Sequence, residues 1–316
     1  MEKIYSREDT RIIMKYLVTG GCGFIGSNLV DQLIKQGHDV TVIDDLSSDA
    51  HDQFYYNPKS TYYNHSVTDY VMCSEVFNRH KPDYVFHLAA EARIQNCVDD
   101  PTKAYETNLI GTLNMLALSK RYGVKRLVLS TTSAIYGLKN EQLPQHEEMS
   151  PDCLNAYSLS KYAAEQACKM YSTLYGLDTA CLRYFNVFGP RQPIKGQYAP
   201  VIGIFSRQKK NNQPMTIVGD GLQTRDYVNV SDVVSANIAA ALHPEPLNAE
   251  VFNVGSGINY SVLELARMME GEYNHLPARV GESRHTLADI TKIKKVLGWS
   301  PSKSLKEYME NKEYDN

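Results

Sequence analysis

The sequence has little charge imbalance, little tryptophan and no long apolar run. Its 316 residues include 33 Lys and Arg against 36 Asp and Glu, for a formal charge of -3, and one Trp. This balance excludes a strongly basic nucleic-acid binder, and a hydrophobic content of 43% excludes a disordered chain. No stretch approaches the roughly 18 to 20 apolar residues of a membrane span. Because the N-terminal residues are too charged for a signal peptide, we expect a cytoplasmic protein with neither membrane nor nucleic acid as a partner.

Metal-binding and disulfide spacings are also lacking. Neither CxxC nor CxxH occurs, so the spacing that zinc sites use is absent. The six cysteines are Cys22, Cys73, Cys97, Cys153, Cys168 and Cys181. We predict that they are reduced thiols, mostly buried, and that the protein has no metal site.

Short apolar runs alternate with amphipathic segments of helix length. The runs are YLVTG, DVTVIDD, DYVFHLAA, KRLVLSTT and TACLRYF, and the predicted helices span residues 24–36, about 101–122 and about 157–175. Runs this continuous in apolar residues fit strands that are buried on both faces. The alternation therefore predicts an α/β fold, a Rossmann-like doubly wound parallel sheet with a smaller C-terminal substrate-binding lobe.

A glycine-rich turn follows the first predicted strand. The segment YLVTGGCGFIGSNLV places Gly20, Gly23 and Gly26 between a strand and a helix. Such glycines permit a tight turn and a close approach to a pyrophosphate at the helix N-terminus. Asp44 ends the next strand, where a carboxylate accepts hydrogen bonds from ribose hydroxyls. Because Asp45 follows and would repel a 2'-phosphate, we predict NAD rather than NADP.

A tyrosine and a lysine four residues apart lie in one predicted helix. Tyr157 and Lys161 share a helix face, so phenol and ammonium can point to the same cofactor. Lowering a phenol pKa from about 10 to about 7 takes roughly 4 kcal/mol, which a nearby ammonium can help to supply. Taken alone, the pair also fits two solvated side chains. The glycine turn and the Ser/Thr cluster that ends a preceding strand favour a catalytic pair.

These patterns divide the chain. Residues 1–13 are interpreted as an N-terminal extension. Residues 14–186, with parts of 227–256, form the predicted NAD-binding Rossmann domain. Residues 187–226 and 257–316, where the rhythm changes after a Gly/Pro-punctuated stretch, form the predicted nucleotide-sugar-binding lobe.

Seven motifs occur in the order of one known family. They are TGGCGFIG, HLAAEA, TNLIGT, the Tyr-Lys pair, LRYFNVFGPRQ, GDGLQTRDYVNVSDV and RVGESRHTLADITK. The chain from about residue 15 to 305 resembles the extended short-chain dehydrogenases/reductases, the NAD-dependent nucleotide-sugar epimerases and dehydratases, and most of all their UDP-glucose and UDP-N-acetylglucosamine 4-epimerases. The resemblance implies a triad of Thr132, Tyr157 and Lys161, with Ser133 as the adjacent alternative to Thr132. It also implies a homodimer formed through helices near 103–122 and 157–175.

The resemblance further implies a set of cofactor-binding residues. They are Gly20, Gly23, Phe24, Ile25, Gly26, Asp44, Ser66, Val67, Leu88, Ala89, Ala90, Thr107, Ser130, Tyr157, Lys161 and Phe185. Ser66 stands where the family often has an aspartate near the adenine amino group. A serine hydroxyl can still accept that hydrogen bond.

In the family, the tyrosine phenolate takes the proton of the sugar 4-hydroxyl while the C4 hydride passes to NAD. Dehydratases that resemble this chain have Asp-Glu after the catalytic Thr, and decarboxylases usually have a Glu there, but this chain has Ser133 and Ala134. This difference favours 4-epimerisation of a UDP-sugar by return of the hydride to the opposite face. The alternatives are a dehydratase, decarboxylase or 4-ketoreductase of the family, and a non-catalytic NAD-sensing protein.

The resemblance also implies residues that bind the UDP-sugar. They are Thr132, Asn186, Val201, Thr216, Val218, Arg225, Arg279, Glu282 and Thr286. In this set the diphosphate is held by the two arginines and by the Asn186 and Val201 positions. Glu282 binds the ribose, and Thr216 and Val218 flank the base. By contrast, the basic residues Arg207, Lys209 and Lys210 are interpreted as a solvated helix end.

Thr286 is implied to form one wall of the sugar pocket. Other implied wall positions are Ala92, Arg93, Asn186, Gln192 and Pro200. A tyrosine at the position of Thr286 leaves no room for a 2-acetamido group in the related 4-epimerases. The smaller threonine therefore predicts that N-acetylated sugars are accepted, although Arg93 could either narrow the pocket or turn to a phosphate.

Overall fold

The computed structural model of the protein describes residues 12–48, 53–138, 142–194, 199–277, 283–312 and 314. The strands are β1 Lys15–Thr19, β2 Asp39–Ile43, β3 Thr61–Tyr63, β4 Tyr84–His87, β5 Arg126–Thr132, β6 Thr179–Tyr184, β7 Asn186–Phe188, β8 Met215–Val218, β9 Thr224–Asn229, β10 Glu250–Val254, β11 Asn259–Ser261 and β12 Tyr273–Leu276.

The helices lie mostly between strands of the central sheet. They are α1 Phe24–Lys35, α2 Tyr70–His80, α3 Ile94–Asp99, α4 Pro101–Tyr105, α5 Gly111–Arg121, α6 Ala156–Tyr175, α7 Val201–Lys210, α8 Val230–Leu242, α9 Val262–Met268, α10 Thr291–Leu297 and α11 Leu305–Glu310. A π-helical turn, Glu106–Ile110, joins α4 to α5, and a 3-10 turn, Ser133–Tyr136, follows β5.

Seven parallel strands form the central sheet, in the order β10-β6-β5-β4-β1-β2-β3. The side chains of β1 alternate between two cores. Tyr16 and Val18 pack with α1 and α8 on one face, whereas Leu17 packs with α2, α5 and α6 on the other. Burial on both faces explains the continuous apolar runs of the sequence. The predicted Rossmann-like doubly wound sheet is confirmed.

The strand order places the ligand cleft. The chain moves outward from β1 to β2 and β3 in one direction, and then from β4 to β5, β6 and β10 in the other. The order therefore reverses between β1 and β4, and in open parallel sheets such a reversal leaves a crevice at the carboxyl ends of the strands. The glycine turn after β1 and the residues after β4 and β5 all lie at this edge.

A smaller unit covers that edge. The sheet β11-β9-β7 and the pair β12-β8 enclose a third core with α7, α9 and α11, which includes Phe188, Phe205 and Leu265. The predicted division at residues 187–226 and 257–316 stays a prediction. Within it, however, Ile293 and Trp299 pack in the core between the central sheet and α8.

Several local elements differ from the sequence predictions. The single helix predicted over about 101–122 is divided into α4, the π-helical turn and α5. Strand β3 and helix α2 have weaker patterns and were not predicted. All six cysteines are free thiols. In the ranges given above, no helix is both long and apolar enough to cross a membrane, and no cluster of three or more His, Cys, Asp or Glu side chains could hold a metal ion.

Candidate active site

A cleft of about 1570 Å³ runs along the carboxyl edge of the central sheet and under the smaller unit. Fifteen of the sixteen predicted cofactor residues line it, all except Ser66. The predicted substrate residues Thr132, Asn186, Val201, Thr216, Val218, Arg225 and Thr286 line it too. Residues from both ends of the sequence therefore meet in one cavity.

The glycine turn brings helix α1 close to the strand before it. Gly20 has a φ of +70°, in the left-handed region that favours glycine. A Cβ on Gly26 would lie 2.0 Å from the Gly20 carbonyl oxygen, and a Cβ on Gly20 would lie 2.7 Å from the Ala89 amide nitrogen. The N-terminus of α1 therefore lines the cleft at Gly23 and Phe24, where a pyrophosphate can approach the backbone.

Asp44 is held in place at the end of β2. Its Oδ2 accepts a hydrogen bond from the Cys22 amide at 2.9 Å, and its Oδ1 accepts one from the Leu46 amide at 3.0 Å. A carboxylate has about four lone-pair sites, so its oxygens can accept from a ribose hydroxyl as well as from backbone amides. Asp45 also lines the cleft, and its Oδ1 accepts hydrogen bonds from the amide and hydroxyl of Ser47.

The predicted triad is assembled by β5 and α6. Tyr157 is hydrogen bonded to the Thr132 side chain, which favours the phenolate, while burial raises the pKa of the Tyr157 phenol. Lys161 is 4% exposed, and its Nζ donates to the Ser130 carbonyl oxygen at 2.9 Å. Burial lowers the pKa of Lys161 to about 8, against the raising effects of Cys97 and Glu165. A phenol, an ammonium and a hydroxyl thus converge where β5 ends.

Helix α6 begins at a defined residue, which fixes the orientation of Tyr157. The side chain of Asn155 accepts a hydrogen bond from the Ser158 amide at 2.9 Å, and the Ser158 hydroxyl is paired back to the Asn155 amide. This capping box satisfies two amides at the helix N-terminus. Tyr157 therefore lies in a first turn whose position is set by local sequence.

The π-helical turn joins the cleft to α6. Asn108, 1% exposed, accepts a hydrogen bond from the Glu91 amide at 2.8 Å and donates one to the Glu91 carbonyl at 3.1 Å. It also donates to the Ser160 hydroxyl at 3.0 Å, which in turn donates to the Tyr157 carbonyl. A π-helical turn shifts side-chain directions within a helix and is frequent at functional sites. Asn108 thus links the loop after β4 to the helix of the triad.

Not every predicted residue lies at the cleft. The Ser66 hydroxyl is paired with the Thr68 hydroxyl at 2.9 Å and accepts from the Thr68 amide at 3.3 Å, so the predicted contact of Ser66 with adenine has no support from its placement. Gln192 is buried but does not line the cleft, whereas the other predicted wall positions, Ala92, Arg93, Asn186 and Pro200, do. Arg279 and Glu282 lie outside the described residues.

Sequence reasoning missed some residues that line the cleft. Arg207, interpreted as part of a solvated helix end, lines it together with Val201, Ile204 and Gln208. These positions recur every three to four residues, so one face of α7 meets the cleft, and that spacing could have indicated it. His65 also lines the cleft, as does Val67 two residues later. Nothing in the local sequence of His65 marks it.

A family model matches most of the chain. The model of the NAD-dependent epimerase/dehydratase family matches residues 16–255. The chain belongs to the NAD-dependent epimerase/dehydratase family. Membership makes the protein an enzyme with NAD as its cofactor, and the glycine turn and the Asp44 carboxylate described above fit that cofactor.

Known members of the epimerase/dehydratase family cover nearly the whole chain. The UDP-glucose 4-epimerase of Thermotoga maritima, solved with UDP-glucose, has 38% identity and a TM-score of 0.90, over 96% of this chain and 98% of that one. The UDP-N-acetylglucosamine 4-epimerase of Methanobrevibacter ruminantium, solved with UDP-N-acetylmuramic acid, has 31% identity and a TM-score of 0.87, over 96% of each chain. The UDP-glucose 4-epimerase of Mycolicibacterium smegmatis is 36% identical over 93% of this chain and 96% of that protein.

Proposed function

We propose that the protein is a 4-epimerase of a UDP-hexose, acting on UDP-glucose and UDP-galactose, on their N-acetylated counterparts, or on both pairs. The observation that supports epimerisation over elimination is the distribution of acids in the cleft. Among the described lining residues, the carboxylates are those of Asp44 and Asp45, which follow β2 at the adenosine end. Loss of water from a 4-keto sugar needs a further acid or base near the sugar. Ser133 and Ala134, the two residues that follow Thr132, supply neither an acid nor a base.

In this proposal the residues of the triad move one proton. Tyr157 accepts the proton of the sugar 4-hydroxyl, with the hydroxyl of Thr132 as a hydrogen-bonding partner at the same site. Lys161 favours the phenolate by its positive charge. Bound NAD supplies the hydride acceptor and later the hydride donor. Tyr157 then returns the proton to the 4-oxygen once the sugar presents its other face.

One assay tests the proposal. The purified protein is incubated separately with UDP-glucose, UDP-N-acetylglucosamine and UDP-glucuronate, and the products are resolved by NMR while absorbance reports any released NADH. We expect a C4 epimer and no net NADH. Products that have lost water or carbon dioxide would identify a dehydratase or decarboxylase. Accumulation of NADH would identify an oxidoreductase, and no turnover in spite of bound NAD would favour a sensing protein.

The size of the Thr286 side chain predicts the range of substrates. Thr286 lines the cleft and is 9% exposed. Its amide donates to the Thr224 carbonyl at 3.1 Å, so the backbone holds it in place. We expect that Thr286→Tyr removes activity on UDP-N-acetylglucosamine and leaves activity on UDP-glucose, because the added ring fills space that only the acetamido group needs. The measurement is kcat/KM for both sugars.

Two outcomes would contradict this assignment. Equal loss of both activities would mean that the ring disturbs the site as a whole. No wild-type activity on the N-acetylated sugar would mean that Thr286 does not decide its acceptance. Thr286→Ser serves as the matched control, since it keeps the hydroxyl that accepts from the Asp226 amide at 3.3 Å.

We further propose that the protein forms a homodimer through α5 and α6. On these two helices, Leu116 and Ala167 are buried within the subunit. A row of exposed apolar side chains remains on α6, where Leu159, Met170 and Leu174 are 44%, 40% and 66% exposed. Their spacing places them on one helix face, and a symmetric second copy would cover that face.

Light scattering at micromolar concentration tests the dimer. We expect twice the subunit mass of 35.7 kDa, and a monomer for Leu174→Lys, because a charge replaces an apolar side chain in the proposed contact. The matched control is Leu222→Lys, since Leu222 is similarly exposed at 52% but lies between β8 and β9. A monomeric wild-type mass would refute the dimer.

A further inference from the structure

A buried ion pair lies against the catalytic helix, and the proposed reaction does not use it. Arg183 Nε donates to Glu165 Oε1 at 2.9 Å, and Arg183 Nη2 donates to Glu165 Oε2 at 2.7 Å. The two side chains are 4% and 1% exposed. Two parallel bonds of this kind fix the relative orientation of the groups.

The ion pair connects the two elements that hold the triad. Glu165 follows Lys161 by one helical turn on α6, so both residues lie on the same helix face. Arg183 lies on β6 opposite Thr131 of β5, and the Thr131 hydroxyl donates to Glu165 Oε1 at 2.9 Å.

Thr131 itself lies between the two β5 residues that meet the catalytic helix. The preceding residue, Ser130, accepts the Lys161 ammonium at its carbonyl oxygen, and the following residue, Thr132, is hydrogen bonded to Tyr157. Any shift of Thr131 relative to α6 would therefore move both contacts.

We propose that the Glu165–Arg183 pair is a positioning device with two effects. It holds β5 and α6 at the spacing that Thr132, Tyr157 and Lys161 need, and it keeps the buried charge beside them close to zero. The inference rests on the proposed role of Tyr157 as the proton acceptor. A buried ion pair is a weak source of stability compared with apolar side chains of the same volume, so stability alone does not account for its presence here.

The electrostatic effect of the Glu165–Arg183 pair on Tyr157 depends on the charges of the titratable side chains nearby. Lys161 faces Cys97 from α3, His87 from β4 and Glu165 from its own helix. The pair itself is faced by Tyr136, Cys153 and Cys181.

Burial lowers the pKa of His87 to about 3 and raises the pKa of Cys97 and of Tyr136 to about 12. Burial also raises the pKa of Cys153, and that of Cys181 is raised by its pairing with Cys168 and by burial. These neighbours are neutral near pH 7, so loss of one partner leaves one uncompensated charge.

The sign of each effect follows from that charge. In Arg183→Met, the anion of Glu165 remains and disfavours the Tyr157 phenolate, which raises the pKa of Tyr157. In Glu165→Gln, the cation of Arg183 remains and favours the phenolate, which lowers the pKa of Tyr157. Glu165 and Tyr157 are separated by roughly 12 Å along the helix axis, and at an effective dielectric constant of about 20 each shift is about one pH unit. In the double variant both charges are absent, so the shifts cancel.

The experiment titrates Tyr157 in the enzyme with its bound NAD. The ultraviolet absorbance of phenolate is followed against pH for each variant, and the same titration of Tyr157→Phe is subtracted. The pH dependence of kcat/KM is measured in parallel. We expect midpoints displaced upward in Arg183→Met and downward in Glu165→Gln, each by about one unit, and a midpoint in the double variant that lies between those of the two single variants.

A second ion pair provides the control. Arg126 and Asp178 are 2.6 Å apart, with side chains 6% and 17% exposed, and Arg126 begins β5 at the end far from Thr132. Asp178→Asn therefore removes an ion pair at the other end of β5 from Thr132, and we expect no displacement of the Tyr157 midpoint. If Asp178→Asn displaces the Tyr157 midpoint as much as the Glu165 and Arg183 variants do, the effect is not specific to the Glu165–Arg183 pair, and the proposal is overturned.

Two further outcomes are decisive. An unpaired buried charge can prevent folding, so Arg183→Lys is included, which keeps the charge but not the two parallel bonds. We expect it to keep KM and to lose kcat, because the charge stays in place and only the spacing of β5 and α6 changes. No displacement in either Arg183→Met or Glu165→Gln, or a wild-type kcat in Arg183→Lys, overturns the proposal. If wild-type Tyr157 shows no phenolate at all, the proposed function fails instead.

Discussion

Tyr157→Phe lowers kcat of the proposed epimerisation by at least about 100-fold, the factor that general acid–base catalysis typically supplies. The substitution removes the hydroxyl that accepts the sugar proton and leaves the ring in place. Because Arg225, Asn186 and the other predicted diphosphate contacts are untouched, we expect the affinity for the UDP-sugar to change little. Steady-state rates and calorimetric binding of UDP measure the two quantities separately.

The control for this variant lies on the same helix. Tyr162→Phe removes a hydroxyl from α6 at a position that does not line the cleft, so its rate should match that of wild type. A rate for Tyr157→Phe above about a tenth of the wild-type value would remove Tyr157 from its proposed role, since a proton acceptor contributes at least 10²-fold.

Gly26→Ala is expected to abolish co-purification of NAD. The added methyl would lie 2.0 Å from the Gly20 carbonyl oxygen and 2.8 Å from the Gly21 Cα. Both are backbone atoms, so α1 must move away from the turn that binds the pyrophosphate. Overpacking of this kind costs about 1 to 3 kcal/mol, and more when backbone is displaced. For a chain of this size that lowers Tm by several degrees, at roughly 2 to 4 °C per kcal/mol.

The measurements are the NAD released from denatured protein and the melting temperature. Gly271→Ala is the matched control. A Cβ there would meet the Met215 Cε at an ordinary 3.5 Å, and we expect both quantities to equal those of wild type. Wild-type NAD content in Gly26→Ala would mean that the turn does not hold the cofactor in the way we infer.

The local signals in the sequence were strong enough to predict the α/β class. Alternating apolar runs and helix-length segments report burial on one or two faces, which depends on neighbours close in the chain. The helices at residues 24–36 and 157–175 correspond to α1 and α6 within one residue at each end. The prediction of one continuous helix over about 101–122 was wrong at its centre, where the π-helical turn lies. The π-helical turn spans only the 5 residues Glu106–Ile110, which is too short for a period read over a window of about 11 to 18 residues to reveal it.

Local spacing also led to the prediction of the glycine turn and of the pair Tyr157 and Lys161, because each of these features is contained within one turn of helix or loop. Only the tertiary structure decided which distant partners those residues meet. It paired the Ser66 hydroxyl with Thr68 and brought one face of α7 to the cleft.

Only the tertiary structure likewise decided the partners of Asn108 and the pairing of Glu165 with Arg183. Asn108 is 52 residues from Ser160, and Glu165 is 18 residues from Arg183. A hydrogen bond or ion pair between such positions depends on the strand order and on the helix faces that the whole fold brings together. No pattern within a short window of sequence contains that information.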